Sequence, residues 1–326
     1  MHRIVLPGLG LETSSLGMGC AALGSRVSAR AGLRALAKAH EAGVSWYDVA
    51  PAYGAGLAEE ILGQFLAGRS RDSVLICTKV GLAPPRHGPV ARALRSLLSP
   101  IVSNSAPLRR ALRRTGATAN RAMPLTPATI TDSVERSLMR LGTDHVEVLA
   151  LHNAQMPDLL RDDIHETLFR LVAAGKIRAA AVAGSGGVAL EALRRELPFL
   201  ILQFSTMEAE APAVLAEAHE AGRGCVTHSV FGVAGSAIDG LARRLRRDPA
   251  LAAAAESRLD AVGLRPKYAP DRRRMAAAIL LAEARAANPR GVVLASMFSV
   301  SSLALNVAGA KAPPLAPGVL SREVEA

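Results

Sequence analysis

The chain has 326 residues, and its 39 Lys and Arg against 28 Asp and Glu give a formal net charge of +11 at pH 7. This length accommodates one large domain or two medium ones. The hydrophobic content of 50% excludes a wholly disordered chain, and no apolar run approaches the ~20 residues that span a bilayer, which excludes a transmembrane protein. The charge leaves three kinds of partner open: nucleic acid, an anionic membrane surface and an acidic ligand.

Short apolar runs alternate with longer helical segments along the chain. Residues 3–6 and 9–12 flank Pro7-Gly8, which predicts an N-terminal β-hairpin. Eight strands are predicted after it, at residues 16–20, 44–48, 74–80, 145–151, 177–183, 199–204, 225–228 and 292–295. Helices are predicted at residues 28–42, 57–67, 127–141, 161–174, 187–197, 212–221, 241–262, 271–287 and 300–308. Strand–helix alternation is typical of parallel strands, and eight units predict an α/β fold, a (β/α)8 TIM barrel, as a single domain over residues 1–326.

An open, doubly wound sheet is the alternative architecture for such an alternation. It usually carries a glycine-rich turn with three spaced glycines after its first strand. The first strand here is followed by Gly17-Met18-Gly19-Cys20-Ala21-Ala22, which lacks the third glycine. The sequence therefore favours the closed barrel.

A long basic insert, residues 86–126, follows the third predicted barrel strand. Residues 86–127 include eight Arg and no Asp or Glu, so this stretch carries +8 of the net +11. We predict a long loop with short helices at residues 91–98 and 107–114. No aromatic residue lies between residues 66 and 168, so the insert lacks the stacking platforms of single-stranded nucleic-acid binders, and we expect no nucleic-acid partner.

The cysteines and the N-terminus indicate the compartment. Cys20, Cys77 and Cys225 are far apart and odd in number, so they predict neither a disulfide framework nor a metal site. The first eight residues have Pro7 and Gly8 where a signal peptide needs an apolar run. We therefore expect a cytoplasmic protein without a metal.

Four polar side chains stand at or just after the ends of the second, third and fourth predicted barrel strands: Asp48, Tyr53, Lys79 and His152. Chemistry in such a barrel occurs at the C-terminal ends of the strands, so we expect these four to meet at one mouth. A phenol with a pKa of about 10 is a poor acid at neutral pH, and a neighbouring ammonium lowers that pKa. A carboxylate holds the ammonium charged, and an imidazole can orient a carbonyl oxygen. The four residue types predict a proton-transfer site.

One block around the second barrel strand resembles the signature of the aldo-keto reductases. It reads Tyr47-Asp48-Val49-Ala50-Pro51-Ala52-Tyr53-Gly54, followed by Gly56, Glu59 and Gly63. Residues 133–142 resemble that family's helix before strand four, Leu151-His152 its strand end, and residues 175–178 its approach to strand five. The resemblance spans residues 8–308. The sequence of the block is most similar to that of the family's sugar and pyridoxal dehydrogenase-like bacterial branch.

The resemblance implies a catalytic tetrad, Asp48, Tyr53, Lys79 and His152. In that family Tyr53 would give a proton to a carbonyl oxygen, or take it from an alcohol, as hydride moves between the substrate and NADP or NAD. The implied substrate is a small carbonyl compound or a sugar. The implied cofactor contacts are Cys20, Asp48, Gln203, His228, Ser229, Ser296, Ser302 and Asn306.

The cofactor contacts depart from the family pattern in three places. The Ser-Asn pair that usually ends strand five is Ala183-Gly184, and the aromatic residue expected from strand seven is His228. Residues 296–306 retain Asn306 but contain no Lys or Arg, although Arg is the usual partner of a phosphate. NAD therefore stays open beside NADP.

Two further sets of predictions concern the residues at the floor of the pocket and the alternative functions of the protein. We expect Met18, Ala21, Trp46 and Tyr47 at the floor, with Ala21 near a position where many relatives carry a large aromatic residue, which would admit a bulkier substrate. A non-catalytic dinucleotide-binding regulatory subunit is one alternative function. A binder of anionic surfaces, acting through the Arg-rich insert, is the other.

Overall fold

The computed structural model describes residues 1–84, 120–264 and 271–313 of the protein. Its strands are β1 (Arg3–Leu6), β2 (Leu11–Ser14), β3 (Leu16–Gly19), β4 (Trp46–Asp48), β5 (Leu75–Val80), β6 (Leu82–Ala83), β7 (Arg121–Ala122), β8 (Val146–His152), β9 (Ile177–Ala183), β10 (Ile201–Ser205), β11 (Gly224–His228) and β12 (Val292–Ala295). Eight of them form a closed barrel in the order β10-β11-β12-β3-β4-β5-β8-β9, and all its neighbouring strands are parallel. The predicted (β/α)8 barrel is confirmed.

Helices cover the outside of the barrel and connect its strands. They are α1 (Ala29–Glu41), α2 (Ala58–Leu66), α3 (Pro127–Leu141), α4 (Met156–Leu159), α5 (Asp162–Ala173), α6 (Gly186–Arg194), α7 (Ala211–Glu220), α8 (Ser236–Arg247), α9 (Pro249–Ala261), α10 (Arg272–Ala287) and α11 (Val300–Lys311). No helix within the described ranges is long and apolar enough to cross a membrane.

Local capping chemistry explains why several helix ends lie where the sequence predicts them. Thr126 accepts a hydrogen bond from the Thr129 backbone N–H at the start of α3, and Pro127 occupies the first turn, where its missing N–H costs nothing. Gly142 ends the same helix in the left-handed region, with φ 64°. Helix α3 therefore spans the predicted residues 127–141.

The prediction of a single helix over residues 241–262 is wrong. This segment forms two helices, of which the first begins at Ser236 and the second at Pro249. Asp248 interrupts them in an extended conformation, as expected for a residue before proline. Its Oδ1 accepts a hydrogen bond of 2.9 Å from the Leu251 backbone N–H and caps the second helix.

The barrel interior is filled by Trp46 together with aliphatic side chains. Trp46 is completely buried there beside alanines of β8 and β9, namely Ala150, Ala179, Ala181 and Ala183. Ile4 and Leu6 of the confirmed hairpin join the same cluster. The hairpin pairs Arg3 with Ser14 and Leu6 with Leu11. A filled interior leaves the chemistry to the ends of the strands.

The chain just before the predicted insert lies next to residues near the insert's C-terminal end, beside the end of β5. Leu82 pairs with Ala122 and Ala83 with Arg121 in the antiparallel ladder of β6 and β7. The Met123 backbone N–H also donates to the carbonyl of Gly81. The helices predicted at residues 91–98 and 107–114 lie outside the described residues, and a single domain over residues 1–326 stays a prediction.

Candidate active site

Three neighbouring barrel strands bring the predicted catalytic side chains to one mouth. Asp48 is the last residue of β4 and His152 the last of β8, while Lys79 is the penultimate residue of β5. Strand β5 pairs with β4 on one side and with β8 on the other. Parallel pairing places these strand ends at the same rim of the barrel.

Lys79 and Asp48 form a buried ion pair. The Lys79 Nζ lies 2.6 Å from Asp48 Oδ2, and the two side chains are only 2% and 4% exposed. Gln203 Nε2 donates a second hydrogen bond, of 2.9 Å, to the same carboxylate oxygen. Burial is the largest single effect and lowers the pKa of Lys79, but the combined effects of Asp48, Tyr53 and Cys77 outweigh it and hold this pKa above its usual range. Lys79 is therefore a fixed cation in the site.

Tyr53 begins the 3₁₀ turn Tyr53–Gly56 and faces both Lys79 and His152. Lys79 Nζ lies 5.6 Å from the centre of its ring, and the His152 ring stands nearly perpendicular to it, with 6.2 Å between ring centres. Burial raises the pKa of Tyr53 to about 12, and the charge of Lys79 opposes this rise. The ammonium lowers this pKa as expected, but desolvation outweighs it, so the net shift is upward. The phenol keeps its proton at neutral pH.

His152 is a neutral imidazole over most of the physiological range. Burial, together with the charge of Lys79, lowers its pKa to about 4. Gly81 fixes the backbone around it, since a Cβ on Gly81 would lie 2.6 Å from the His152 carbonyl oxygen. Gly81 also has φ +120°, a conformation that other residues rarely adopt.

The tetrad residues line one cavity of about 500 Å³. Besides Asp48, four of the predicted cofactor contacts line the same cavity: Gln203, His228, Ser229 and Ser296. The cavity is lined by residues from the ends of all eight barrel strands or from the loops that follow them. Within the described ranges, no group of three or more His, Cys, Asp or Glu side chains could hold a metal ion.

Three predicted cofactor contacts do not line this cavity. Cys20 is completely buried, and its Sγ points back to the Met18 carbonyl at 3.6 Å. Ser302 forms a capping box with Ser299 at the start of α11, with 2.7 Å between the two hydroxyl oxygens. Asn306 is 1% exposed and donates a hydrogen bond of 3.4 Å to the Ser296 carbonyl. Asn306 therefore does not line the cavity itself but bonds to Ser296, which does.

The predicted pocket floor is correct only for Ala21, which lines the cavity. Met18, Trp46 and Tyr47 are completely buried. Trp46 belongs to the barrel interior, whereas Met18 and Tyr47 belong to the cluster that packs the helices on the barrel. Side chains alternate between the two faces of a strand, and none of these three faces the mouth.

Sequence reasoning missed four polar or charged cavity residues, all in loops: Arg26, Asn153, Ser185 and Glu208. Asn153 and Ser185 come one and two residues after strand ends, and loops at that edge form the sites of such barrels. That position was the available signal for them. Arg26 and Glu208 stand farther from their strands, where the local sequence gives no such signal.

Comparison with known proteins agrees with this geometry. Residues 15–314 match the sequence profile of the Aldo/keto reductase family. The chain is 32% identical over 238 residues to the D-threo-aldose 1-dehydrogenase of a Pseudomonas species, covering 68% of this chain and 67% of that protein. It is 30% identical over 199 residues to the NADH-specific methylglyoxal reductase of Escherichia coli, covering 60% of this chain but only 53% of that protein's length.

A solved structure shows the same fold. It is the holo form of an aldo-keto reductase from Bacillus halodurans, 22% identical, with a TM-score of 0.66 over 99% of this chain and 95% of that one. The prediction from the block around Asp48 and Tyr53 is confirmed: the chain belongs to the aldo/keto reductase family of NAD(P)-dependent oxidoreductases.

Proposed function

We propose that the protein interconverts the carbonyl group of an aldehyde, ketone or sugar and the corresponding alcohol, with Tyr53 as the general acid and base. One observation carries the proposal. The buried Lys79–Asp48 pair, the Tyr53 phenol and the His152 imidazole converge on the wall of a single cavity. A phenol beside a fixed ammonium and a neutral imidazole is suited to moving one proton to or from a carbonyl oxygen.

Each side chain has a distinct part in the proposed reduction. Tyr53, which is protonated at neutral pH because of its raised pKa, donates its proton to the carbonyl oxygen. Lys79 stabilises the phenolate that remains, and Asp48 keeps Lys79 charged and in place. The neutral His152 donates an N–H hydrogen bond to the same oxygen and orients the carbonyl group. In the oxidation direction the Tyr53 phenolate takes the alcohol proton, so oxidation gains from rising pH.

The opposite side of the cavity fits a nicotinamide dinucleotide. Gln203 is 3% exposed, and its amide offers an acceptor and a second N–H besides the bond to Asp48. His228 bonds to the Ser229 hydroxyl through Nδ1, at 2.9 Å, and presents its ring to the cavity. Ser296 lines the cavity, and Asn306 is placed to position it. When bound, NAD(P)H supplies the hydride.

The names of the relatives support a sugar or a small aldehyde as the substrate. One is called an aldose dehydrogenase and another a methylglyoxal reductase. Ala21 lines the cavity with a small side chain, which supports the hypothesis that the pocket also admits bulkier aldehydes.

A carbonyl and alcohol panel tests the proposed function. NADH and NADPH oxidation, and NAD⁺ and NADP⁺ reduction, are followed at 340 nm with aldehydes of graded size, aldoses and their alcohols. We expect turnover of at least one aldehyde or sugar, faster reduction at neutral pH and faster oxidation at alkaline pH. Tight dinucleotide binding by fluorescence titration with no turnover of any compound would instead support the regulatory subunit.

A further inference from the structure

The cavity wall carries two positive and two negative side chains, of which only two form an ion pair with each other. They are Arg26, Asp48, Lys79 and Glu208. Asp48 and Lys79 neutralise each other at 2.6 Å. Glu208 is half-buried and accepts a hydrogen bond from the Gly186 backbone N–H in the first turn of α6, where a helix favours negative charge. Arg26 is exposed, and within the described ranges no residue forms an ion pair or side-chain hydrogen bond with it, which leaves an exposed cation without a counter-ion.

A tight loop holds Arg26 in place. The Gly24 backbone N–H donates to the Val27 carbonyl at 2.9 Å, and the Val27 N–H donates to the Ala22 carbonyl at 3.0 Å. The Ser25 N–H also donates to the Ala22 carbonyl. The backbone on both sides of Arg26 is therefore fixed in a closed turn. Binding of a ligand by Arg26 need not order this loop, which limits the conformational entropy lost on binding.

The same loop packs on the turn that carries Tyr53. A Cβ on Gly54 would lie 2.0 Å from the Leu23 carbonyl oxygen, and a Cβ on Gly24 would lie 3.4 Å from the Gly54 carbonyl oxygen. The cation thus belongs to the side of the cavity that holds the proton donor. The residues that fit a dinucleotide come from β10, β11 and the loop after β12, and β12 is the other neighbour of β3, the strand before the Arg26 loop.

We propose that Arg26 binds an oxyanion, a carboxylate or phosphate group, that the substrate carries at a distance from its carbonyl group. The planar guanidinium can form two parallel hydrogen bonds with such a group. The inference rests on the proposed function and adds the substrate class: aldehydes or sugars with a negative charge. A phosphate of the dinucleotide is the other source of an oxyanion, and the experiment separates the two.

Two matched pairs of substrates test the inference. The first pair is 4-carboxybenzaldehyde and its methyl ester, and the second is glyceraldehyde 3-phosphate and glyceraldehyde. The variants are Arg26→Met, which keeps an unbranched apolar side chain without the charge, and Arg30→Met as the control. Arg30 is exposed on α1 and does not line the cavity. Dinucleotide dissociation constants are measured for each variant by fluorescence titration.

We expect the wild type to prefer the anionic member of at least one pair. Arg26→Met should lower kcat/KM for that member by roughly tenfold or more, the usual effect of losing a charge-assisted hydrogen bond, and leave the neutral member within about twofold. Arg30→Met should change neither. Equal losses for both members, or no loss, would overturn the inference. A weaker affinity for the dinucleotide in Arg26→Met would assign the oxyanion to the cofactor. Absence of turnover with every compound of the wider panel would refute the proposed function itself.

Discussion

The two sides of the cavity differ in how much of their chemistry the chain itself builds. On the side formed by β4, β5 and β8, Asp48, Lys79, Tyr53 and His152 lie together around a buried ion pair of 2.6 Å. On the side formed by β9 and β10, Ala183 and Gly184 end one strand without a polar side chain, and Gln203 is bonded to Asp48. We therefore propose that proton transfer and cofactor affinity depend mainly on different residues, and we expect substitutions to change them separately.

The largest effect should follow from Lys79→Met on the proton-transfer side. Without the ammonium, the phenolate left by proton donation loses its counter-ion, so kcat should fall on the order of 1000-fold. The substitution also leaves Asp48 buried and unpaired, which costs about 3–5 kcal/mol of stability. Thermal melting and kcat are measured for Lys79→Met and for the double variant Asp48→Asn/Lys79→Met.

Lys38→Met is the matched control, because Lys38 is exposed on α1. It should keep kcat within about twofold of wild type. The double variant should recover most of the stability but none of the activity. Recovery of activity in the double variant would show that the charge of Lys79 has no part in the chemistry.

A smaller effect is expected from Gly81→Ala, which touches no reacting group. Its Cβ would lie 2.6 Å from the His152 carbonyl oxygen, and φ is +120°. The β8 end must shift to relieve this contact, so kcat should fall roughly tenfold, with a loss of stability of about 1–3 kcal/mol. Gly68→Ala is the control, since Gly68 has φ +78° but no atom within 4 Å of a Cβ. It should lower the melting temperature without lowering kcat; equal kcat losses would contradict the positioning role of Gly81.

The cofactor side should respond in the opposite direction to Ala183→Ser/Gly184→Asn, which restores the pair that the family usually carries. Space is available, since the nearest atom to a Cβ on Gly184 is the Ala154 carbonyl oxygen at 3.9 Å. Two new hydrogen bonds to the carboxamide should tighten dinucleotide binding about 5- to 10-fold, with kcat unchanged. Fluorescence titration and steady-state kinetics check both. Unchanged affinity would mean that the carboxamide does not lie against the end of β9.

The smallest effect concerns the pH dependence of stability at His152. Its pKa is about 4 in the folded protein because of burial and Lys79, against about 6.5 in the unfolded chain. Between these values only the unfolded chain binds the proton, so stability falls as the pH drops through this window. At pH 5 the loss from this group is about 2 kcal/mol.

His152→Gln removes that titration and keeps a polar side chain. The melting temperature should fall less between pH 7.5 and pH 5 in this variant than in wild type, by a few degrees. Identical losses in both proteins would mean that His152 is not held neutral by its surroundings.

Much of the fold follows from local signals in the sequence. The Thr126-Pro127 start and the Gly142 end of α3 are determined by neighbours in the chain, and both were predicted. Asp248-Pro249 carries a similar local signal for a helix start, but the single helix predicted over residues 241–262 runs across it. The barrel rule placed the tetrad at one rim because strand ends of a parallel barrel meet there, whatever the loops do.

The features of the site that the sequence does not predict depend on contacts between segments that are far apart in the chain. Arg26 belongs to the site because its loop packs on the Tyr53 turn, and no spacing in the sequence encodes that contact. The raised pKa of Tyr53 depends on how completely the fold removes water from the phenol. Trp46 and Tyr47 lie next to Asp48 in the chain, yet they fill the barrel interior and the helix layer because side chains alternate between the faces of a strand.

The central claim, that Tyr53 exchanges the proton, is tested most directly by comparing Tyr53→Phe with Tyr47→Phe. Both remove one hydroxyl group from a tyrosine of the same segment, Tyr47 being buried and Tyr53 half-buried. The Tyr47 hydroxyl donates to the Val44 carbonyl at 3.2 Å, away from the cavity. Tyr53→Phe should lower kcat on the order of 1000-fold and leave dinucleotide affinity unchanged, whereas Tyr47→Phe should keep kcat close to wild type. Wild-type turnover by Tyr53→Phe would contradict the assignment.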